Sequence, residues 1–185
     1  VGGFVINGQC RDDNSGMSVA NAGDVNGDGL ADLIVGSPAS DPAAGENAGR
    51  SYVVYGKANG TGINLSAVAL GSGGFVINGQ AESDQSGTSV SSAGDVNGDG
   101  VADLIVGAVY SDTSPLNNAG RSYVVLWKTD STAINLSNVA ARIGGFVING
   151  QCQEDWSGMS VSSAGDVNGD GLAETTRQEF QMSAV

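Results

Sequence analysis

Asp24-Val25-Asn26-Gly27-Asp28-Gly29-Leu30-Ala31-Asp32-Leu33-Ile34-Val35-Gly36 carries oxygen-bearing side chains at its first, third, fifth and ninth positions and a glycine at its sixth, then turns apolar. A hard cation such as Ca²⁺ takes six to eight oxygens at about 2.3–2.6 Å. In a tight loop the side chains of Asp24, Asn26 and Asp28 turn inward, Gly29 permits the sharp bend, Leu30 offers its main-chain carbonyl, and Asp32 closes the shell. The string returns without a gap 71 residues on, with Asp95, Asn97, Asp99, Val101 and Asp103, and again as Asp166, Asn168, Asp170, Leu172 and Glu174. One copy is a common Asx-rich turn; three copies at one spacing point to calcium, two loops complete and the third less so. An EF-hand needs an acid at position twelve and flanking helices, whereas position twelve is Val35, Val106 and Arg177, and Leu-Ile-Val-Gly has strand character. A nine-residue calcium roll is excluded by the long period.

The rest of each unit repeats as well. Gly3-Phe4-Val5-Ile6-Asn7-Gly8-Gln9 recurs from Gly74 and from Gly145. Four segments per unit have strand character: Phe-Val-Ile, a small-residue run (18–22, 89–93, 160–164), Leu-Ile-Val, and Arg-Ser-Tyr-Val-Val. Four strands per unit is the pattern of a propeller blade. The chain is expected to be all-β, built of four-stranded antiparallel blades. The small-residue strand lies innermost in each blade, and the Phe-Val-Ile strand of the next unit lies outermost. On that phasing two complete blades run over about 17–78 and 88–149, with a spare outer strand at one end and a spare inner strand with its loop at the other. The stretch 64–69 reads as a blade connection. Residues 1–174 form the propeller segment, with repeats 1–71, 72–142 and a partial 143–174; residues 175–185 are a divergent tail, because Leu-Ile-Val-Gly fails to follow Glu174. That break reads as a frameshift, truncation or junction. The start at Val1 without Met reads as a mature or excised fragment.

Composition narrows function. Seven Lys and Arg against twenty Asp and Glu give a formal charge of −13, the wrong sign for nucleic acid and the right one for cations. Three Ca²⁺ would bring that charge to −7. With no histidine, the commonest general base is missing, and almost every acid is repeated, whereas an active site is a unique constellation; the chain is not expected to be an enzyme. No apolar run approaches the roughly 20 residues of a membrane helix. Cys10 and Cys152 occupy equivalent positions and read as half-buried small hydrophobes. Arg50 and Arg121 read as structural, bridging strands or pairing an acid such as Asp13 or Asp84. Asp13, Asp84 and Asp155 read as turn acids, Trp156 as packed in its loop with an exposed recognition aromatic as the alternative, and Trp127, standing where the first unit has Gly56, as a local packing change. The segments that differ between repeats, 37–46 and 108–117, are the best candidates for ligand contact.

Asp-Val-Asn-Gly-Asp-Gly-Leu-Ala-Asp-Leu-Ile-Val-Gly, preceded by Ser-Gly-x-Ser-Val and followed by Ala-Gly-Arg-Ser-Tyr-Val-Val, resembles the FG-GAP repeat of integrin alpha-chain β-propellers and their bacterial relatives. The resemblance spans residues 1–174, although Gly107-Ala108-Val109 lacks the family's proline. It implies a seven-bladed propeller in the full-length member, calcium in the hairpin loop of each blade, and extracellular or cell-surface adhesion to a protein or glycan ligand. The rival expectations are an accessory domain of a secreted lipid- or carbohydrate-active enzyme, and a plain spacer. Two blades cannot close a ring, so self-association is expected.

Overall fold

A computed structural model describes residues 3–128 and 130–173. Its strands are β1 (Ile6–Asn7), β2 (Ser18–Gly23), β3 (Asp32–Ser37), β4 (Arg50–Val54), β5 (Ile63–Asn64), β6 (Gly74–Asn78), β7 (Ser86–Gly94), β8 (Asp103–Ala108), β9 (Arg121–Val125), β10 (Ile134–Asn135) and β11 (Gly145–Asn149). Two single helical turns, α1 (Leu65–Val68) and α2 (Leu136–Ala140), interrupt them. The first blade is the antiparallel series β2-β3-β4-β6, extended by β10 in parallel beside β6; the second is β7-β8-β9-β11. Each blade takes its outer strand from the following unit, as the repeat phasing requires. β1 and β5 pair in parallel, Ile6 with Ile63, just as Ile77 pairs with Ile134. β1 therefore stands where the outer strand of a preceding blade would stand.

Period-two alternation gives each blade two apolar faces. Ile34, Val53, Phe75 and Ile77 from the first blade meet Val90, Leu104, Val106 and Tyr123 from the second in one core between the blades. Val35, Tyr52, Val54 and Val76 on the other face of the first blade are covered by Leu65 and Val68 of α1. The stretch 64–69 is thus both connection and lid: residues three apart share a helix face, and both of these are fully buried.

The inner strands β2 and β7 pack side by side. A Cβ on Gly36 would lie 2.0 Å from the Gly87 carbonyl oxygen, so blades this close require glycine there. Ser18 Oγ donates to that carbonyl at 2.8 Å, and Ser89 Oγ repeats the contact on Gly158 at 2.7 Å. The expected third inner strand is a correction: residues 160–164 form no strand. The reason lies in the sequence, because the Leu-Ile-Val-Gly segment that would pair with it does not follow Glu174. The tail 175–185 and Glu174 lie outside the described residues.

Candidate metal centre

Each acidic loop joins the first two strands of its blade, 24–31 between β2 and β3 and 95–102 between β7 and β8. Gly27 and Gly29 sit at φ of 74° and 84°, left-handed values that glycine adopts without strain. The coil winds around Asp24. Its Oδ1 accepts N–H bonds from Gly27 (2.8 Å) and Asp28 (3.1 Å), and its Oδ2 accepts from Gly29 (2.8 Å). Asn26 Oδ1 accepts from Asp28 N, and Asp28 Oδ1 from Leu30 N. The second loop reproduces these bonds around Asp95, with Asn97, Asp99 and the Val101 N–H in the same roles. The third does so around Asp166, with Asn168, Asp170 and the Leu172 N–H. The Ala173 N–H then bonds the Asp95 carbonyl at 2.8 Å, which stacks the third loop on the second.

The ninth residue has a separate task. Asp32 is fully buried; its Oδ2 accepts from Val25 N at 2.8 Å and its Oδ1 from Gly56 N at 2.7 Å. It thereby fastens the loop to the end of β4. Asp103 fastens the second loop in the same way, to Val96 N (3.0 Å) and Trp127 N (2.8 Å). Glu174, the third-loop equivalent, lies outside the described residues.

These carboxylates differ in electrostatics. Burial pushes Asp32 above the ordinary carboxylate range; the Gly56 and Val25 N–H bonds oppose this, and the charges of Asp28 and Asp24 add to it. Asp103 is raised for the same reasons, with Asp99 and Asp95 as its repelling neighbours. Burial also raises Asp84. Half-buried Asp95 is held below the range, first by the Gly100 N–H. For the raised groups the folded chain holds protons more tightly than the unfolded one. Their stabilisation is complete below the unfolded value of 3.8 and is lost as pH rises through the folded values. Asp95 acts in the opposite sense, but only below 3.8. Without calcium, the urea midpoint should therefore be higher at pH 5 than at pH 7; a lower midpoint at pH 5 would contradict this assignment.

Donor chemistry fits a hard cation. A carboxylate or amide oxygen has two lone pairs. After these bonds and the one that Asn26 Nδ2 donates to Asp28 Oδ2 at 3.0 Å, one remains on Asp24 Oδ2, on Asn26 Oδ1, and on both oxygens of Asp28 and of Asp32. With the Leu30 carbonyl these reach the six to eight that Ca²⁺ takes. Among the described residues, no three acid or cysteine side chains are gathered into a ready metal cage.

The other singled-out residues fall elsewhere. Arg50 and Arg121 are structural: Arg50 Nε donates to Asn78 Oδ1 of β6 at 3.2 Å, bridging strands, and each arginine also meets a glutamine. Gln9 Oε1 accepts from Tyr52 Oη (2.6 Å) and Arg50 Nη1 (3.3 Å); Gln80 Oε1 accepts from Tyr123 Oη (2.7 Å) and Arg121 Nη1 (3.1 Å). Gln80 follows β6 of the first blade and Tyr123 belongs to β9 of the second, so this clasp locks blade to blade. Sequence reasoning missed it, although both glutamines close the repeated Phe-Val-Ile-Asn-Gly-Gln motif. Asp84 accepts from Ala81 N, and Asp155 from the N–H groups of Gln151 and Cys152, as turn acids do. Cys10 and Cys152 are free and exposed, not half-buried, because both stand in turns outside the strands. Trp156 is 45% exposed rather than packed, at the tip of a turn with φ of 52°. In the variable segments Asp41 bonds Asn47 N and Asp112 bonds Asn118 N, the same brace in both units.

The FG-GAP repeat family matches residues 15–54 and 86–125, in each case the first three strands of a blade with the acidic loop inside. Phosphatidylinositol-glycan-specific phospholipase D of Bos taurus is 30% identical over 151 residues, which cover 80% of this chain and 16% of that protein. The chain thus spans about a sixth of the length of this curated relative. This chain therefore carries two FG-GAP repeats, one on each complete blade of a β-propeller-like fold.

Proposed function

We propose that the chain is a calcium-stabilised interaction module of an extracellular or cell-surface protein, with Ca²⁺ held by Asp24, Asn26, Asp28, Leu30 and Asp32 and by Asp95, Asn97, Asp99, Val101 and Asp103. The third loop supplies Asp166, Asn168, Asp170 and Leu172, with Glu174 as its ninth residue. One observation carries the reading: Asp32 and Asp103 are buried acids repelled by two further acids of their own loops. Among the described residues the only ion pairs are Arg11–Asp12 and Lys128–Asp130, so a bound cation is what would balance them. The metal's part is structural, neutralising the loop and bracing the hairpin that Asp32 ties to Gly56. FG-GAP repeats indicate a propeller-type interaction module, and the bound partner would be a protein or a glycan. No helix among the described residues is long and apolar enough to cross a membrane.

Thermal unfolding tests the metal. At 10 mM Ca²⁺, with the affinities of about 10⁻⁴–10⁻³ M usual for extracellular modules, two filled sites should raise Tm by about 6–20 °C over the chelated protein. Mg²⁺ should do far less, since it demands stricter geometry. Equal melting in chelator and calcium would end the reading.

Self-association belongs to the same proposal. Val19 of the first blade is 55% exposed, whereas its equivalent Val90, facing a neighbouring blade, is 7% exposed. This chain in isolation should scatter light with a mass above its 18.4 kDa, and Val19→Asp should reduce that mass. A monomer at high concentration would contradict it. A second reading, that the chain is an accessory domain of a lipid- or glycan-directed enzyme, draws on the phospholipase relative. It predicts the same metal sites and no catalysis by the isolated chain.

A further inference from the structure

We infer that the groove between the two blades, beside the first acidic loop, is a binding subsite for a neutral saccharide. It encloses about 350 Å³ and is lined by Asp24, Asn26, Tyr55, Val101, Trp127 and Ser131. That volume is at the lower end of the small-ligand range and suits one or two sugar rings. Sugars are recognised by aromatic rings under their C–H faces and by polar side chains that trade hydrogen bonds with their hydroxyls; both kinds of group line this groove.

The aromatic platform is held in place. Phe75 is buried in the core between the blades. Tyr55 packs edge-on against it at 6.4 Å, and Trp127 tilts against it at 6.5 Å from the second blade. Both groove aromatics are only half-buried. Tyr55 Oη and Ser131 Oγ lie 3.2 Å apart and share one proton of the two they carry, which leaves a hydroxyl hydrogen for a ligand. Asn26 spends one N–H on Asp28 and keeps the other, a donor that a cation on the loop's oxygens would not use.

The groove is particular to this junction. At the position of Trp127 the first blade has Gly56, where a Cβ would lie 2.4 Å from the Ala31 carbonyl oxygen and 2.9 Å from Leu30 Cβ. The second blade accommodates an indole there. Both residues give the same main-chain bond to the ninth-position acid, Gly56 at 2.7 Å and Trp127 at 2.8 Å, so Trp127→Gly keeps the backbone arrangement that the first blade already uses. A larger cavity of about 460 Å³ beside α1 is lined by small aliphatic residues with Ser131 and Thr132 and has neither an aromatic ring nor a charged group to orient a ligand. The inference deepens the interaction-module reading and rests on it, but does not require the metal.

The test uses the Trp156→Phe chain, in which Trp127 is the sole tryptophan. Its fluorescence is titrated with neutral probes: mannotriose, maltotriose, a galactose disaccharide and an N-acetylglucosamine trimer. The expected result is a saturable shift with at least one of them, weakened at least about tenfold by Trp127→Gly on calorimetry and largely restored by Trp127→Phe. The affinity should not change between 0.05 and 0.5 M NaCl, because the ligand is uncharged. No response to any neutral probe, a response that survives Trp127→Gly, or a response to tetramethylammonium alone that fades with salt would each overturn the inference. Calcium uptake measured on the same samples separates the two proposals: metal binding without a sugar response defeats only the groove, and a sugar response without metal binding defeats only the calcium sites.

Discussion

Asp103→Ala should lower the unfolding free energy by about 2–4 kcal/mol in calcium-free buffer, and Asp103→Asn by roughly half as much. The carboxylate is fully buried and caps the N–H groups of Val96 and Trp127. Alanine orphans both, and a buried unsatisfied donor costs about 1–3 kcal/mol. Relief of the buried charge offsets part of that, since burial and the nearby acids hold Asp103 above the ordinary carboxylate range. Asparagine retains one acceptor and no charge, hence the smaller loss. Urea unfolding of the three chains, with m held constant, checks the order. An alanine chain as stable as the parent would mean that the ninth acid does not fasten its loop. In calcium the gap between parent and alanine chain should widen, because the parent alone gains the full benefit of the ion.

Gly36→Ala should be still more damaging, at least about 3 kcal/mol, the upper part of the range for overpacking. Its Cβ would lie 2.0 Å from the Gly87 carbonyl oxygen and 2.2 Å from Ser18 Oγ. The serine can rotate, but Gly87 is main chain in the neighbouring blade's inner strand, so relief requires the blades to separate. The core between them, with Ile34, Phe75 and Tyr123, would loosen together with the Ser18–Gly87 bond. Alanine at Gly29 is a useful contrast: a Cβ there meets nothing within 4 Å, and only its φ of 84° is unfavourable, so its cost should be nearer 1 kcal/mol. Reversal of that order would show that the blades do not pack as described.

The repeat made much of this molecule readable. Continuous apolar runs rich in β-branched and aromatic residues placed β3, β4, β8 and β9, and the offset between the Phe-Val-Ile segment and its unit placed the outer strands β6 and β11 on the preceding blades. These features are local or follow from repetition. What escaped the reading depends on contacts between repeats. Arg50 and Arg121 were expected to bridge strands or to pair an acid; Arg50 does bridge β4 to β6 through Asn78, but the glutamine that each arginine also meets, Gln9 or Gln80, comes from the way consecutive blades join. The inner strand at 160–164 has the composition of β2 yet forms no strand, because strand formation needs a partner as well as a suitable sequence. Trp127 read as a packing change, and only the neighbouring loop and Tyr55 reveal that it lines a groove. In the acidic loops the residue types were legible, but the division of labour was not. The first acid winds the coil, and the ninth is buried and anchors it to the next strand.

The central claim is that the repeated loops are calcium sites, and isothermal titration of the chelator-stripped chain with Ca²⁺ tests it most directly. The account predicts two or three ions per chain, with one fewer in the Asp24→Ala chain and binding not reproduced by Mg²⁺ at equal concentration. No heat of binding in the parent chain, or a stoichiometry unaltered by Asp24→Ala, would contradict it.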